Sequence, residues 1–153
     1  MRTPPPATHA AGSGRQLSDQ HLAYVLLRLT FGVNFLGHGG VRIIGGVGHF
    51  ADATVQGFQG TVLPLALVRP FALLIPGLEA LLGVLVIVGL ALRLTLTTGA
   101  LLMTALTLGL TQQSNWNGAG WALTYALVFS ILLFGRPYNA WSLDTWRRKG
   151  AAS

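Results

Sequence analysis

The chain has 153 residues, of which 52% are hydrophobic and only 9% are charged, and its net charge at pH 7 is +6. Soluble domains carry about 25% charged residues. The composition therefore excludes a water-soluble enzyme, and it also excludes a disordered chain, which needs low hydrophobicity and high charge density. The sequence contains no cysteine, which excludes disulfides, thiolate chemistry and iron–sulfur ligation by this chain itself. These features predict an integral membrane protein with about four spans of ~20 residues.

The first 20 residues differ from the rest of the chain. They are rich in Pro, Ala, Gly and Ser and contain no apolar run. Such a composition is typical of a flexible tail outside the bilayer. We therefore expect a tail over residues 1–20, a membrane domain over residues 21–146 and a basic C-terminal tail over residues 147–153.

Four apolar segments behind the tail are long enough to cross a bilayer as helices. They are Leu22–Ile44, Phe71–Leu92, Leu94–Thr111 and Ala119–Phe134. None of them shows the alternation of a membrane β-strand, so the chain is predicted to be an all-α, integral membrane four-helix bundle.

The basic residues are distributed unevenly between the two sides of this predicted bundle. One side would carry Arg2, Arg15, Arg93, Arg136, Arg147, Arg148 and Lys149, and the other side would carry Arg69 and Arg42. This asymmetry predicts that both termini are cytoplasmic, in a multi-pass protein of a bacterial-type inner (cytoplasmic) membrane. Because the cations lie at helix ends and form no aromatic-interleaved patch, we expect the lipid bilayer and no nucleic acid as a partner.

Residues 45–69, between the first two spans, form a longer connection than the ~2–8 residues usual in helical bundles. Ala51, Val55, Phe58 and Val62 recur in it with helical spacing. The segment is predicted to be either a short amphipathic helix at the outer leaflet or an ordered loop packed on the bundle.

The first span concentrates its polar side chains on one face. At 100° per residue, a sector about 120° wide contains Arg28, Phe31, Asn34, Phe35, His38 and Arg42. Gly32 and Gly39 border the sector, and glycines let a second helix approach closely. This face is therefore predicted to contact protein and not lipid.

Glu79 is the one acidic residue in any predicted span. Counted from the ends of the spans, it lies between Arg28 and His38 in depth, so we expect it to pair with one of them. Gly83, one turn after Glu79, is a further candidate for close helix packing. The hypothesis is a buried polar network of Arg28, His38, Arg42 and Glu79, which serves either a function or only the register of the helices.

Polar and aromatic residues also gather at the predicted outer end of the third span. Gln112, Gln113 and Trp116 fall at the membrane level of His38 and Arg42. Amides, an imidazole, a guanidinium and an indole around an apolar cleft suit a ligand with carbonyl groups or a small anion. The same residues also suit an interfacial belt that binds no ligand.

The sequence favours neither a metal site nor self-contained catalytic machinery. No two of its four histidines lie three or four residues apart, and it contains no serine elbow and no phosphate-binding loop. We therefore expect no metal and no covalently bound cofactor.

Three stretches resemble the DoxX family of small four-helix membrane proteins: LLRLTFGVNFLGHGGVRI, GLEALLGVLVIVGLALR and WALTYALVFSILLFGRPYNAWSLDTW. The resemblance covers Leu22–Trp146. The positions that carry it are Arg28, Gly32, His38, Gly39, Glu79, Gly83, Arg93 and Asp144. Arg42 stands where that family often has lysine.

This resemblance implies a subunit that supports a membrane redox complex. Quinone is then the expected ligand, bound near the outer leaflet by His38, Arg42 and Gln112, with Glu79 coupling protons. The alternative is a non-catalytic accessory subunit of a larger membrane protein assembly, which the missing cysteines and cofactor motifs favour. A small transporter fits less well, because the four predicted spans contain no internal repeat.

Overall fold

The computed structural model describes residues 18–150, without the side chains of residues 148 and 149. It contains the helices α1 (Asp19–Ile44), α2 (Val47–Gly57), α3 (Leu65–Val88), α4 (Leu92–Gln112), α5 (Trp116–Phe134) and α6 (Leu143–Gly150), with a 3₁₀ turn over Arg136–Tyr138. The described residues form no strand, so the all-α prediction is confirmed for this part of the chain. Nearly all of the predicted N-terminal tail lies outside the described residues.

Three helices, α3, α4 and α5, are long and apolar enough to cross a membrane. The longest helix, α1, has 26 residues but is not among the three. Arg28, Asn34 and His38 lie in its middle and lower its hydropathy. The membrane-spanning character is therefore supported for the last three predicted spans. That the first predicted span, α1, also crosses the membrane, and on which side the termini lie, remain predictions.

Helix α3 corresponds to the second predicted span, and it begins at Leu65, before the predicted start at Phe71. Pro64 is the N-cap of α3, and Pro70 lies inside the helix. The helix ends before the predicted Leu92, because Gly89 has a left-handed backbone with φ of 70° and stops it. The long helices are otherwise close to their predicted ranges.

The packing of α1 along α3 depends on three glycines. A Cβ atom on Gly39 would overlap backbone atoms of Ala80, and one on Gly83 would overlap the backbone of Leu36. On Gly32 a Cβ atom would lie 2.7 Å from a side chain of α3. The two helices therefore meet backbone to backbone, at a distance that no larger residue permits.

An aromatic core joins this pair of helices to α4 and α5. The ring of Phe129 on α5 lies edge-on to Phe31 and Phe35 of α1, with centroid distances of 4.7 and 5.2 Å. A Cβ atom on Gly99 of α4 would overlap the Phe129 ring. Edge-to-face packing of this kind is favourable beyond the area that it buries, and here it holds α1, α4 and α5 together.

The segment between the first two spans contains a short helix, which was one of the two predicted alternatives. It packs on the bundle, as the other alternative predicted for an ordered loop. In α2, which contacts α3, Ala51 is fully buried, and Phe58 is buried immediately after the helix ends. Val62 was expected on the same apolar face but is 82% exposed, because the helix ends at Gly57 and does not reach it.

The C-terminal end of the described chain closes one end of the bundle through residues 139–145, which we call the C-terminal clasp. The Asp144 carboxylate accepts hydrogen bonds from the backbone N–H groups of Ala91 and Leu92, at 2.8 and 2.9 Å. The Asp144 N–H donates in turn to the Gly89 carbonyl oxygen at 3.1 Å. Asp144 thus caps the N-terminus of α4 from a distant part of the sequence and fastens the clasp to the turn between α3 and α4.

The glycine contact predicts a contrast between two neighbouring substitutions. Gly39→Ala forces α1 away from Ala80 and should lower the free energy of unfolding by about 1–3 kcal/mol, the usual cost of overpacking. Gly40→Ala is the matched control, because a Cβ atom there meets nothing within 4 Å; it should leave stability unchanged or raise it by up to about 1 kcal/mol. Thermal unfolding in detergent, followed by circular dichroism, measures both changes. Equal unfolding midpoints for the two variants would contradict the packing described here.

Candidate functional site

An ion pair that is more buried than Arg69–Asp52 joins Glu79 of α3 to Arg42 near the end of α1. A guanidinium N–H of Arg42 donates to Glu79 Oε2, and the side chains are 31% and 4% exposed for Arg42 and Glu79. The guanidinium also lies over the ring of Phe50 on α2, with its central carbon 4.7 Å from the ring centroid. This cation–π contact gives Arg42 a second partner besides the carboxylate.

The expected pairing of Glu79 with Arg28 or His38 was wrong, since its partner is Arg42. The contact between Gly39 and Ala80 places Glu79 level with the last turns of α1, within reach of Arg42. The expected pairing followed from the depth of Glu79 in the membrane, counted as if the second span began level with the end of the first. In the structure α3 extends past the end of α1, so that assumption fails.

Next to this ion pair, His38 contacts a residue of α5. His38 Nε2 and the Tyr125 hydroxyl lie 3.1 Å apart, and the two rings meet edge-on with centroids 5.7 Å apart. Sequence reasoning missed Tyr125. The available signal was its hydroxyl group, the one phenol within the apolar run predicted as the last span.

These four side chains line a cavity of about 420 Å³, which we call the polar cavity. Its polar wall consists of His38, Arg42, Glu79 and Tyr125. Its apolar wall includes Phe35, Met103, Leu106, Leu110, Trp121 and Ala122. A mostly apolar space with a few converging polar groups is the usual form of a small-molecule site in a protein.

A second cavity, of about 490 Å³, adjoins the first, and we call it the apolar cavity. Side chains of α2, of the residues after it, and of α3 and α4 line it, among them Phe50, Phe58 and Phe71. Arg42, Leu106 and Leu110 line both cavities. Arg42 therefore stands at the boundary between a polar and an apolar compartment.

The structure separates the residues that were predicted to bind a ligand together. His38 and Arg42 line the polar cavity, whereas Gln113 lines only the apolar cavity. Gln112 is exposed at the end of α4, and Trp116 is 69% exposed at the start of α5, and neither of them lines either cavity. Gln112 is the last residue of α4 and Trp116 is the first residue of α5, so the two residues flank the turn between these helices.

Arg28 does not belong to this site. It lies 14 positions before Arg42 on the same helix, about 21 Å away at 1.5 Å per residue. Its guanidinium is buried and donates to the Trp141 carbonyl oxygen of the C-terminal clasp at 2.6 Å. Arg28 thus supports the opposite end of the bundle, and the predicted network divides into two separate groups.

The unequal burial of Arg42 and Glu79 predicts unequal effects of their substitution. Arg42→Gln leaves an unpaired carboxylate in the interior and should cost about 3 kcal/mol of unfolding free energy, as broken buried pairs do. Glu79→Gln leaves a guanidinium that is partly exposed, so its cost should be smaller. The double variant should recover part of the loss, because no buried charge remains. A double-mutant cycle of thermal unfolding in detergent measures the coupling. Additive effects of the two substitutions would contradict the pairing.

Comparison with known protein families identifies a match over most of the described chain. Residues 20–120 match the family model described as methylamine utilisation protein MauE. No curated protein and no solved structure matches the chain. The expected membership of the DoxX family was wrong, because the matching model is MauE and no DoxX model matches.

Several of the positions that carried the DoxX resemblance have structural roles in this bundle. Gly39 and Gly83 permit helix contact, and Asp144 caps α4. Any small helical bundle can need residues of these types, so they do not distinguish one family from another. Since the matched region runs from the start of α1 into the first turns of α5, the chain belongs to the MauE family of membrane proteins.

Proposed function

We propose that this chain is an accessory membrane protein in the utilisation of methylamine, as the family description indicates, and that it works within a larger membrane protein assembly. The matched residues, 20–120, include His38, Arg42 and Glu79. The proposal assigns the chain's own contribution to the polar cavity that these residues line.

The observation that carries this proposal is the position of the Arg42–Glu79 pair on a cavity wall. Ionisable groups inside a membrane protein are costly and usually mark a functional site. A pair that served only helix register would need no open space beside it. Here the pair lines about 420 Å³ of space, together with His38 and Tyr125. A ligand in the cavity can therefore contact both partners.

The proposal places α1 in the bilayer as a fourth span. α1 packs along α3, which is itself apolar enough to cross the membrane. The other elements cover part of the polar face of α1: Arg28 is buried and Arg42 is paired with Glu79, whereas Asn34 is exposed. With four spans, the distribution of arginines favours cytoplasmic termini in a bacterial-type inner membrane.

The polar cavity suits a small ligand that accepts hydrogen bonds. Arg42 supplies N–H donors, and the His38–Tyr125 pair supplies a ring nitrogen and a hydroxyl group that can donate or accept. Imidazole and phenol groups in contact can also transfer a proton to or from a bound group. The arrangement thus supports binding of a carbonyl-bearing molecule with exchange of protons.

A conservative substitution tests the role of the cavity in methylamine utilisation. Tyr125→Phe removes one hydroxyl group and should lower ligand affinity about tenfold, the value of one good hydrogen bond. We expect slower growth of the host with methylamine as its only nitrogen source and normal growth with ammonium. Tyr138→Phe is the matched control, because Tyr138 lies outside both cavities. Normal growth of the Tyr125→Phe strain on methylamine, with the protein present in the membrane, would overturn the proposal.

A quinone is the second candidate, as the ligand of the same cavity. A quinone needs an apolar slot, a hydrogen-bond donor for its carbonyl groups and a source of protons. The polar cavity offers Arg42 and the His38–Tyr125 pair between apolar walls. The adjoining apolar cavity, which also reaches Arg42, can accommodate part of an isoprenoid chain.

Tryptophan fluorescence tests quinone binding directly, because Trp121 lines the polar cavity. A short-chain ubiquinone should quench the fluorescence of the purified protein with saturation, and Trp121→Phe should remove the saturable part. His38→Ala should weaken the apparent affinity about tenfold through the lost hydrogen bond. Trp116→Phe is the control, since Trp116 lines neither cavity. Linear, unsaturable quenching would exclude quinone as the ligand of this cavity, but it would not affect the proposed accessory role.

A further inference from the structure

A third cavity lies at the other end of the bundle, beside the C-terminal clasp. Its volume is about 720 Å³, and three arginines line it: Arg93 of α4, Arg136 of the 3₁₀ turn and Arg147 of α6. Ala91, Leu94, Thr97 and Asp144 complete the wall. We propose that this arginine cleft binds the phosphate headgroup of an acidic phospholipid.

The charge of the cleft supports an anionic ligand. Its arginines come from three separate elements of the fold, which converge on one space. The ion pairs Arg42–Glu79 and Arg69–Asp52 do not involve these arginines. The guanidinium group is planar and presents paired N–H donors, which match the oxygens of a phosphate.

Asp144 organises the cleft. Both of its carboxylate oxygens accept hydrogen bonds from the first N–H groups of α4, so the carboxylate is directed onto the backbone of that helix. This contact fixes α6, and with it Arg147, against the start of α4, where Arg93 lies. The cleft is therefore built by the fold and does not depend on a chance meeting of surface side chains.

The position of the cleft distinguishes a lipid from a free anion. It lies where two apolar helices end, at the start of α4 and just beyond α5. Leu94 lines the cleft and is 70% exposed, and Leu101, two turns further along the same face of α4, is 65% exposed. A lipid whose phosphate contacts the arginines can lay its acyl chains along this exposed apolar strip. A free phosphate would leave the strip without an occupant.

The arginine cleft is separate from the proposed functional site. It shares no lining residue with the polar cavity or with the apolar cavity. Its ligand can therefore be tested without regard to methylamine or quinone.

The test measures how many phosphatidylglycerol molecules stay bound to the full-length protein. The protein is reconstituted in equal parts of phosphatidylcholine and phosphatidylglycerol, extracted in mild detergent and analysed by native mass spectrometry. We expect preferential retention of phosphatidylglycerol. Replacement of Arg93, Arg136 or Arg147 by Gln should weaken it about fivefold for each arginine removed, and the Lys variants should keep most of it. Arg69→Gln, an exposed arginine at the other end of the bundle, should change nothing.

Two results would overturn the proposal. One is equal retention of phosphatidylglycerol by the triple Gln variant and by the Arg69→Gln control, with both proteins helical by circular dichroism. The other is release of the bound lipid by millimolar inorganic phosphate, because a site that prefers the free anion is not a lipid site.

Discussion

Between α1 and α3 there is no room for a side chain at Gly39 or at Gly83, so the two helices pack with their backbones in contact. This contact sets the level of one helix against the other. It brings Glu79 opposite the last turns of α1, where Arg42 can neutralise it. The polar cavity follows from the same register, because His38 lies one turn before Arg42 and turns towards Tyr125 of α5.

Much of the helical organisation can be read from the sequence, because the apolar runs are long and the glycines mark the close contact. The partner of Glu79 cannot be read in this way. Positions along each helix are known from its own sequence, but the offset between two helices depends on tertiary contacts. The offset was taken from the assumption that the two spans end level with each other, whereas α3 extends past the end of α1. That assumption moved the expected pairing from Arg42 to Arg28 and His38.

Contacts between distant segments account for the other differences. Tyr125 joins the site only because α5 packs beside α1, and nothing near it in the sequence indicates this. Gln112 and Trp116 were placed at the site by membrane depth alone, but depth does not state which way a side chain points. Several of the residues that resembled one family, among them Gly39, Gly83 and Asp144, are packing and capping residues, and such residues do not identify a family.

The cap that Asp144 places on α4 joins residues 53 positions apart, and this has a consequence for biogenesis. During synthesis all of α4 is added to the chain before Asp144. Until then, the amides of Ala91 and Leu92 lack this acceptor. The turn between α3 and α4 can therefore reach its final form only after the chain has been made as far as Asp144.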